Sequence, residues 1–413
     1  MRYLKSNSFE FYEPDQIENA DVVEHLISIT RDSTTKAGGE AWSCAWSSDN
    51  SFFAWSSGHR NLHLMPWDSN KRKRHNPTDN EGLNGRKYHL IDCGENIWSL
   101  AFGSGFSHKG VNTNYRHCRF DQNFILATGL ASGRIKLWNC HTGLLMIELL
   151  DHRDTVRCLD FTKDGSLQLV SASRDGSLKL WDLHNEGNMY STFKQQPTMF
   201  YGCHFSPNAR FIAAVGSSKT VYLWSCISFN SLPHRLDGHC NEVASCDFTP
   251  DSALLATASY DTKIIIWDTY RQIKLRTLGH LFPSPSLIFA GGANDHYVRS
   301  ISFCQDGLTL ASVCDDGFVR FWNIVTPGDP VAVAPVYEAL SCQFSSTQSV
   351  LSVGCRNGDV KFLKTSNSVP SLLNLCRKTV RRVLSTGQVD ALPVPKMLIS
   401  YLQYEDLLPG VWK

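Results

Sequence analysis

The organisation of the chain is set by residues 156–182, which read VRCLDFTKDGSLQLVSASRDGSLKLWD. Three short runs in this stretch, 156–161, 167–172 and 178–181, are apolar or alternate apolar with polar residues. The runs are separated by Lys-Asp-Gly and Arg-Asp-Gly, and glycine tolerates the positive φ that tight turns between antiparallel strands need. The stretch therefore predicts three strands joined by two hairpin turns. Three such strands cannot bury their apolar faces alone, so the pattern also predicts similar neighbours.

Similar stretches follow one another at a fixed interval. Tryptophans close four successive stretches 43 residues apart, at Trp138, Trp181, Trp224 and Trp267. Trp322 comes 55 residues after the last of these, which indicates an insertion, and Leu363 stands where a seventh tryptophan would be. The period lies in the low forties, Gly-His precedes two units at 238–239 and 279–280 and is weakened to Asp151-His152 before another, and Trp-Asp closes units at 181–182 and 267–268. This pattern resembles the WD repeat, whose units form four-stranded propeller blades. We therefore expect an all-β fold, a seven-bladed WD-repeat β-propeller.

Charge and cysteine content exclude several classes of protein. The 413 residues include 40 basic and 39 acidic side chains, so no overall field favours nucleic acid or acidic lipid. The 14 cysteines include no Cys-x-x-Cys pair, which argues against a zinc ribbon and a disulfide framework. The first residues lack the apolar core of a signal peptide, and no apolar run approaches the length of a membrane span. We expect no metal, no cofactor, no membrane contact and an intracellular location, cytoplasmic, nuclear or both.

The repeats divide the chain into three parts. Residues 1–35 form an N-terminal arm, in which 22–29 is a candidate strand for closing the ring, because an open ring leaves two unpaired sheet edges. The alternative is a poorly ordered arm. Residues 36–365 form the propeller, with inserted loops at about 69–90, 103–120 and 281–292. Residues 366–413 form a separate tail.

Two loops contain residues with possible functions. Lys71-Arg-Lys-Arg74 is either a nuclear import signal, with a nucleic-acid contact as a further hypothesis, or a solvated basic loop. The second loop holds His108, His117 and Cys118, but their spacing does not match a metal site.

The resemblance to WD repeats also implies a buried hydrogen-bond set in each blade. Its members are a histidine, a Ser or Thr, a turn aspartate and the closing tryptophan. Two sets match this sequence: His152, Ser171, Asp175 and Trp181, and His239, Thr257, Asp261 and Trp267. His, Asp and Ser together also suggest a hydrolase triad, but a catalytic site is not repeated around a ring. We therefore expect these residues to be structural and the protein not to be an enzyme.

The tail departs from the repeat pattern. Residues 371–384, SLLNLCRKTVRRVL, place apolar residues on one helical face and Arg377, Lys378, Arg381 and Arg382 largely opposite. Leu-Pro-Val-Pro at 392–395 breaks the helix, and 396–404 can form a second one. Helices this short are not stable alone, so they must dock on the ring, on each other or on a partner.

The two tail motifs resemble a SOCS box. Leu372, Cys376 and Val380 look like the elongin-binding box, whose Leu and Cys four residues apart fill a pocket on elongin C. The motif at 392–395 looks like the adjoining cullin-selecting box, formed here by Leu392, Pro393, Val394 and Pro395. A propeller followed by these motifs resembles the WD-repeat and SOCS-box protein family. The extension 405–413 is longer than we expect of that family.

The resemblance implies the substrate-recognition subunit of an elongin BC–cullin–RING ubiquitin ligase. The expected partners are elongin B, elongin C, a SOCS-type cullin with its RING protein, and an unknown protein substrate destined for ubiquitination and proteasomal degradation. Residues expected on one rim of the ring, as possible substrate contacts, are Arg157, Arg174, Tyr260 and Arg299; local ion pairing is the alternative for the arginines. The alternative function is a scaffold protein outside any ligase, whose C-terminal helices cap the propeller.

Overall fold

The computed structural model describes residues 18–19, 21–26, 39–58, 60–67, 88–104, 124–183, 187–195, 198–227, 232–280, 296–326, 328–346, 350–364 and 371–408. Within these ranges, 29 strands form seven sheets. The seven-bladed all-β propeller with a small helical tail is therefore confirmed. Among the described residues, no helix is long and apolar enough to cross a membrane.

The first two strands, β1 (Glu18–Asn19) and β2 (Asp21–Leu26), precede the first blade and pair with strands near the end of the ring. Each blade then uses consecutive strands, ordered from the central axis outward. Blades one to three contain β3 (Cys44–Trp46), β4 (Phe52–Ser57), β5 (Asn61–Pro66), β6 (His89–Asp92); β7 (Ile97–Gly103), β8 (Ile125–Leu130), β9 (Arg134–Asn139), β10 (Leu145–Leu150); and β11 (Val156–Phe161), β12 (Gln168–Ser173), β13 (Ser177–Asp182), β14 (Asn188–Lys194).

The remaining blades repeat this order. Blades four to seven contain β15 (Phe200–Phe205), β16 (Phe211–Gly216), β17 (Thr220–Ser225), β18 (His234–Asp237); β19 (Val243–Phe248), β20 (Leu254–Ser259), β21 (Lys263–Asp268), β22 (Lys274–Gly279); β23 (Val298–Phe303), β24 (Thr309–Cys314), β25 (Phe318–Asn323), β26 (Ala332–Pro335); and β27 (Ala339–Phe344), β28 (Val350–Cys355), β29 (Val360–Lys364). The inner strand of every blade contacts the inner strands of both neighbours, so the ring is closed.

The hairpin turns of blade three follow from their glycines. Gly165 and Gly176 adopt φ angles of 79° and 78°, which other residues rarely adopt. Strand β12 pairs antiparallel with both β11 and β13. The apolar residues of β12 and β13 then pack against those of β15 to β17 in one buried cluster between blades three and four. Burial between neighbouring sheets explains why the repeat is stable only as part of a ring.

The ring closes through residues from both ends of the chain. Strand β2 pairs antiparallel with β29 and completes the blade-seven sheet, with Val22 opposite Leu363. The predicted closing segment 22–29 overlaps β2, and residues 27–29 lie outside the described residues. Trp46 of blade one donates its indole N–H to Ser352 Oγ of blade seven at 3.0 Å. This bond joins the first and last blades of the ring.

The three predicted insertions lie largely outside the described residues. Strand β6 begins at His89, at the end of the first predicted loop of about 69–90. The run Lys71–Arg74, the loop residues His108, His117 and Cys118, and the insertion 281–292 lie outside the described residues.

Candidate functional site: the outward apolar surface of the tail

The tail consists of three helices and a final 3-10 turn. The helices are α1 (Leu372–Val383), α2 (Thr386–Asp390) and α3 (Lys396–Leu402), and the turn is Glu405–Leu407. The Ser371 side chain caps α1 by accepting a hydrogen bond from the Asn374 N–H at 3.2 Å. Helix α3 starts directly after Pro395, as expected from a proline at a helix start.

The second predicted helix, 396–404, is too long by two residues. Helix α3 ends at Leu402, because Tyr404 adopts a left-handed φ of 58°. That turn directs the Tyr404 ring into the propeller, where its hydroxyl donates to Asp251 Oδ2 at 2.5 Å. Burial raises the pKa of Tyr404 well above its ordinary value, and the Asp251 charge raises it further. Helix α2 was not anticipated, because its sequence, TGQVD, has almost no apolar pattern.

The basic face of α1 is the buried one. Arg377 is 1% exposed and donates two hydrogen bonds to the Asp406 carboxylate, at 3.0 and 2.8 Å. Its guanidinium also lies 3.4 Å from the centre of the Tyr401 ring and 4.5 Å from that of Tyr404. A bidentate pair stacked on aromatic rings is a geometry that arginine forms and lysine does not.

A second buried arginine and a lysine join α1 to the propeller. Arg381 is 1% exposed, lies 5.3 Å from the Tyr270 ring centre and donates to Thr386 Oγ1 at 2.9 Å. The Lys378 ammonium donates to the backbone carbonyl of Gln305. Burial lowers the pKa of Lys378, and the nearby Arg382 charge lowers it further. Tyr270 and Gln305 belong to the loops of blades five and six, so α1 rests on these two blades.

The C-terminal extension fastens the tail to the same blades. Leu407 is 1% exposed and joins the apolar cluster between blades five and six, along with Tyr404. Glu405 accepts a hydrogen bond from Arg271 Nη1 at 2.9 Å. A hydrogen bond from Ser400 lowers the pKa of Glu405, and Arg271 lowers it further against the opposing effect of burial. The unexpected extension is therefore, at least through Leu408, part of the docking contact.

The apolar face of α1 points away from the propeller. Leu372 is 78% exposed, Val383 is 72% exposed, and Leu373, Leu375 and Cys376 are exposed as well. At 3.6 residues per turn, Leu372, Cys376 and Val383 lie on one side of the helix and Arg377 and Arg381 on the other. Helices that cover a protein core bury their apolar side. The α1 helix does the reverse, which leaves its apolar surface available to another molecule.

The predicted binding residues lie on or beside this surface. Among the elongin-box residues, Leu372 and Cys376 are exposed and Val380 is half-buried. In the segment before α3, Leu392 is half-buried and Pro393, Val394 and Pro395 are exposed. Helix α3 adds Met397 and Leu398, both exposed. The sequence gives little indication of the residues that dock the tail, Tyr404, Asp406 and Leu407. The only indication is that two arginines four residues apart are followed, later in the tail, by aromatic residues and an aspartate.

In blades three and five, the residues of the two predicted hydrogen-bond sets lie within hydrogen-bonding distance of one another. His152 Nδ1 lies 2.8 Å from Asp175 Oδ2, its Nε2 lies 2.7 Å from Ser171 Oγ, and Trp181 Nε1 donates to Ser171 Oγ at 2.9 Å. Burial would raise the pKa of Asp175, but hydrogen bonds from His152 and Ser177 hold it below its ordinary value.

Blade five repeats this arrangement. The corresponding distances are 2.9 Å for His239 to Asp261, 2.8 Å for His239 to Thr257 and 2.9 Å for Trp267 to Thr257. The pKa of Asp261 is also lowered, because the hydrogen bond with His239 outweighs burial. The recurrence of one buried set in two blades supports a structural role.

One group in the described part of the chain is compact enough to suggest a metal. Ligand atoms of His280, Cys314 and Asp316 lie within 4.8 Å of one another. However, His280 Nε2 lies 3.0 Å from Ser312 Oγ, and its Nδ1 lies 3.0 Å from Arg320 Nη1. Both ring nitrogens are engaged and a guanidinium lies beside them, so the group does not fit a metal ion. It is the blade-six counterpart of the hydrogen-bond sets.

The four rim residues lie on one face of the ring. Arg157 and Arg299 are on inner strands, and Arg174 and Tyr260 are in turns between the second and third strands of their blades. The backbone N–H of Arg174 donates to the carbonyl of Thr155, just before inner strand β11, at 3.0 Å. The backbone N–H of Tyr260 donates to the carbonyl of Glu242, just before inner strand β19, also at 3.0 Å. Arg299 forms an ion pair with Asp315, so local pairing applies to this arginine.

Comparison with known proteins agrees with this architecture. The SOCS box family model matches residues 368–403, and the WD domain, G-beta repeat, model matches residues 143–182, 187–225, 230–268 and 283–323. WD repeat and SOCS box-containing protein 1 of Homo sapiens is 46% identical over 95% of this chain and 99% of its own length. Its namesakes from Mus musculus and Danio rerio are 44% and 45% identical, over 94% and 95% of this chain and 97% and 98% of their own. With this extent of similarity, and with a propeller and SOCS box in the same order, the chain belongs to the family of WD repeat and SOCS box-containing proteins.

Proposed function

We propose that this chain is the substrate-recognition subunit of an elongin BC–cullin–RING ubiquitin ligase. In this role the tail binds elongin C with elongin B, and then a SOCS-type cullin with its RING protein. The propeller holds a protein substrate, which is ubiquitinated and degraded. The chain performs no covalent chemistry itself: it raises the effective concentration of substrate lysines near a charged ubiquitin-conjugating enzyme. A ligase of this kind works in the cytoplasm, the nucleus or both.

The observation that carries the proposal is the reversed burial of α1. Two arginines are each 1% exposed, whereas Leu372 is 78% exposed and Cys376 is exposed on the opposite side. Burying one leucine side chain contributes about 1.5–3 kcal/mol, so a helix anchored through Leu372, with Cys376 beside it, gains affinity from a groove. Because the arginine face already holds α1 on the propeller, an adaptor can bind the outer face without displacing the helix.

The segment Leu392–Pro395 supports the cullin part of the proposal. Pro393, Val394 and Pro395 are exposed immediately before α3, next to the exposed Met397 and Leu398. The prolines restrict the backbone of this segment, so little conformational entropy is lost when a partner binds it. We assign the cullin-selecting contact to this short surface and the elongin contact to α1.

The experiment is co-purification of elongin B and elongin C with the full chain. Leu372→Ala combined with Cys376→Ala abolishes co-purification while the propeller stays folded. Leu144→Ala is the matched control, because Leu144 is 68% exposed but lies in blade two, far from the tail in sequence. Retention of elongin by the double variant would refute the assignment of these anchors.

The scaffold alternative rests on one observation, the docking of the tail on blades five and six through Arg381, Tyr404 and Leu407. That contact is compatible with a tail that only caps the propeller. Failure of the unmodified chain to retain elongin, with the tail folded, would favour the scaffold over the ligase subunit.

A further inference from the structure

The inner strands share a feature that marks one mouth of the central opening. Six of the seven have a register shift at the same position, where one residue is left out of the ladder with the next strand. The bulged residues, in ring order from blade two to blade seven, are Trp98, Arg157, Tyr201, Ala244, Arg299 and Leu340. A bulge re-aims its side chain, and conserved use of bulges is typical beside binding sites. Here the bulges bring large polar and aromatic side chains together at the mouth.

Arg157 is the central cation of this cluster. Its guanidinium lies 4.4 Å from the Trp98 ring centre, 5.8 Å from that of Tyr201 and 6.0 Å from that of Trp42. The rings of Trp42 and Trp98 are themselves only 4.7 Å apart. Residues of four adjacent blades therefore surround one half-buried arginine.

Three acidic groups near the mouth have partners other than Arg157 and Arg174. Asp315 pairs with Arg299, Asp316 pairs with Arg320, and Glu242 accepts a hydrogen bond from the Tyr201 hydroxyl at 3.2 Å. In the part of the chain that the structure describes, neither Arg157 nor Arg174 forms an ion pair with a carboxylate. The mouth thus holds two guanidinium groups, those of Arg157 and Arg174, that lack a carboxylate partner among the described residues.

The electrostatics of Arg157 agree with its geometry. Burial lowers the pKa of Arg157, and the charges of Arg174 and Arg299 act in the same direction. Tyr260 and Tyr201 act in the opposite direction, and Arg299 is itself paired with Asp315. A half-buried cation near two other cations is stabilised by an anion in the same place, and guanidinium groups bind carboxylates and phosphates through paired hydrogen bonds.

We propose that the mouth binds an anionic side chain of the protein substrate, with Arg157 pairing with the anion and the Trp98 and Tyr201 rings flanking it. The inference rests on the proposed function only for the statement that the anion belongs to a substrate. The anion is either the carboxylate of an acidic residue or the phosphate of a phosphorylated one, because both present oxygens in the geometry that arginine recognises.

The test uses the full chain and four fluorescent peptide pools. The pools share a degenerate sequence and differ at one central position, which is phosphoserine, glutamate, glutamine or serine. Binding is measured by fluorescence anisotropy. We expect at least one anionic pool to bind about tenfold more tightly than both neutral pools, since charge-assisted hydrogen bonds exceed neutral ones. The pool that binds identifies the phosphate or the carboxylate as the source.

Variants locate the site. Arg157→Gln removes the preference for the anionic pool, and Arg210→Gln, an exposed arginine in a turn between the first and second strands of blade four, leaves it unchanged. Arg174→Gln changes an exposed turn residue and weakens anion binding severalfold, so the proposal stays testable if Arg157→Gln does not fold. Equal binding of all four pools, no binding by any pool, or an anion preference that survives Arg157→Gln and Arg174→Gln would overturn it.

Elongin co-purification in the same preparations separates this inference from the proposed function. Arg157→Gln keeps elongin bound, whereas the Leu372→Ala, Cys376→Ala double variant loses elongin and keeps the anion preference. Loss of one property without the other therefore shows which proposal fails.

Discussion

Replacing Arg377 by alanine tests whether the basic face of α1 holds this helix against residues 401–406, the segment through which the tail docks on the propeller. The change removes two hydrogen bonds to Asp406, at 3.0 and 2.8 Å, and the stacking on Tyr401 and Tyr404. Removing one partner of a buried ion pair costs about 3–5 kcal/mol. Asp406 keeps 12% of its side chain exposed and regains some hydration, so we expect the low end of that range, about 3 kcal/mol.

Hydrogen exchange measures this loss where it occurs. The tail can open while the ring stays folded, so a loss of about 3 kcal/mol accelerates amide exchange in α1 by about a hundredfold. Amides in blades one to three are unaffected. Arg382→Ala is the matched control, because Arg382 is an exposed arginine on the same helix. Unchanged α1 exchange in Arg377→Ala, or equal acceleration in Arg382→Ala, would refute the docking role. A double-mutant cycle with Asp406→Ala then isolates the coupling between the two side chains.

Two further predictions concern the ring. Asp261→Asn lowers the free energy of unfolding by about 1–3 kcal/mol at neutral pH, because a buried hydrogen-bond set loses its acceptor charge. The pKa of Asp261 in the folded chain lies below the ordinary value of 3.8. The stabilisation by the charged carboxylate is therefore present above that value and is lost as the pH falls through the folded pKa. The free energies of unfolding of the variant and the parent chain therefore converge in acid. Denaturant titrations across pH check this, and a constant difference at every pH would contradict it. Trp46→Phe leaves Ser352 without its indole donor and lowers the free energy of unfolding by about 1–3 kcal/mol, measured by thermal unfolding. Trp67→Phe is the control, and an equal or larger loss of stability in that control would contradict the role of the Trp46 bond.

The propeller was predictable because each repeat is a nearly independent structural unit. Evenly spaced tryptophans and Asp-Gly turns specify strands and hairpins locally, and the apolar faces require neighbouring blades. The closure was only partly predictable. The bond from Trp46 to Ser352 joins residues 306 positions apart, so no local pattern indicates this contact between the first and last blades.

The orientation of the tail was not predictable from its pattern. The sequence of α1 shows an apolar face and a basic face, and an amphipathic helix ordinarily buries the apolar one. The reverse occurs because Asp406, Tyr401 and Tyr404 return from later in the chain and surround Arg377. Acceptors and rings supplied by tertiary structure thus make burial of a guanidinium favourable, and these contacts depend on the fold of residues 396–408.

In the proposed function, helix α1 contacts the propeller with one face and an elongin adaptor with the other, and Cys376 reports on the adaptor contact. It is the only exposed cysteine among the residues that the structure describes; Cys158, Cys226 and Cys240 are partly covered and the rest are buried. The measurement is the rate of Cys376 alkylation by iodoacetamide, followed by peptide mass spectrometry, with and without saturating elongin B–elongin C. We predict that Cys376 reacts first in the free chain and becomes protected in the complex, while the rate at Cys240 does not change. A Cys376 that stays equally reactive in saturating adaptor would contradict the assignment of this helix face.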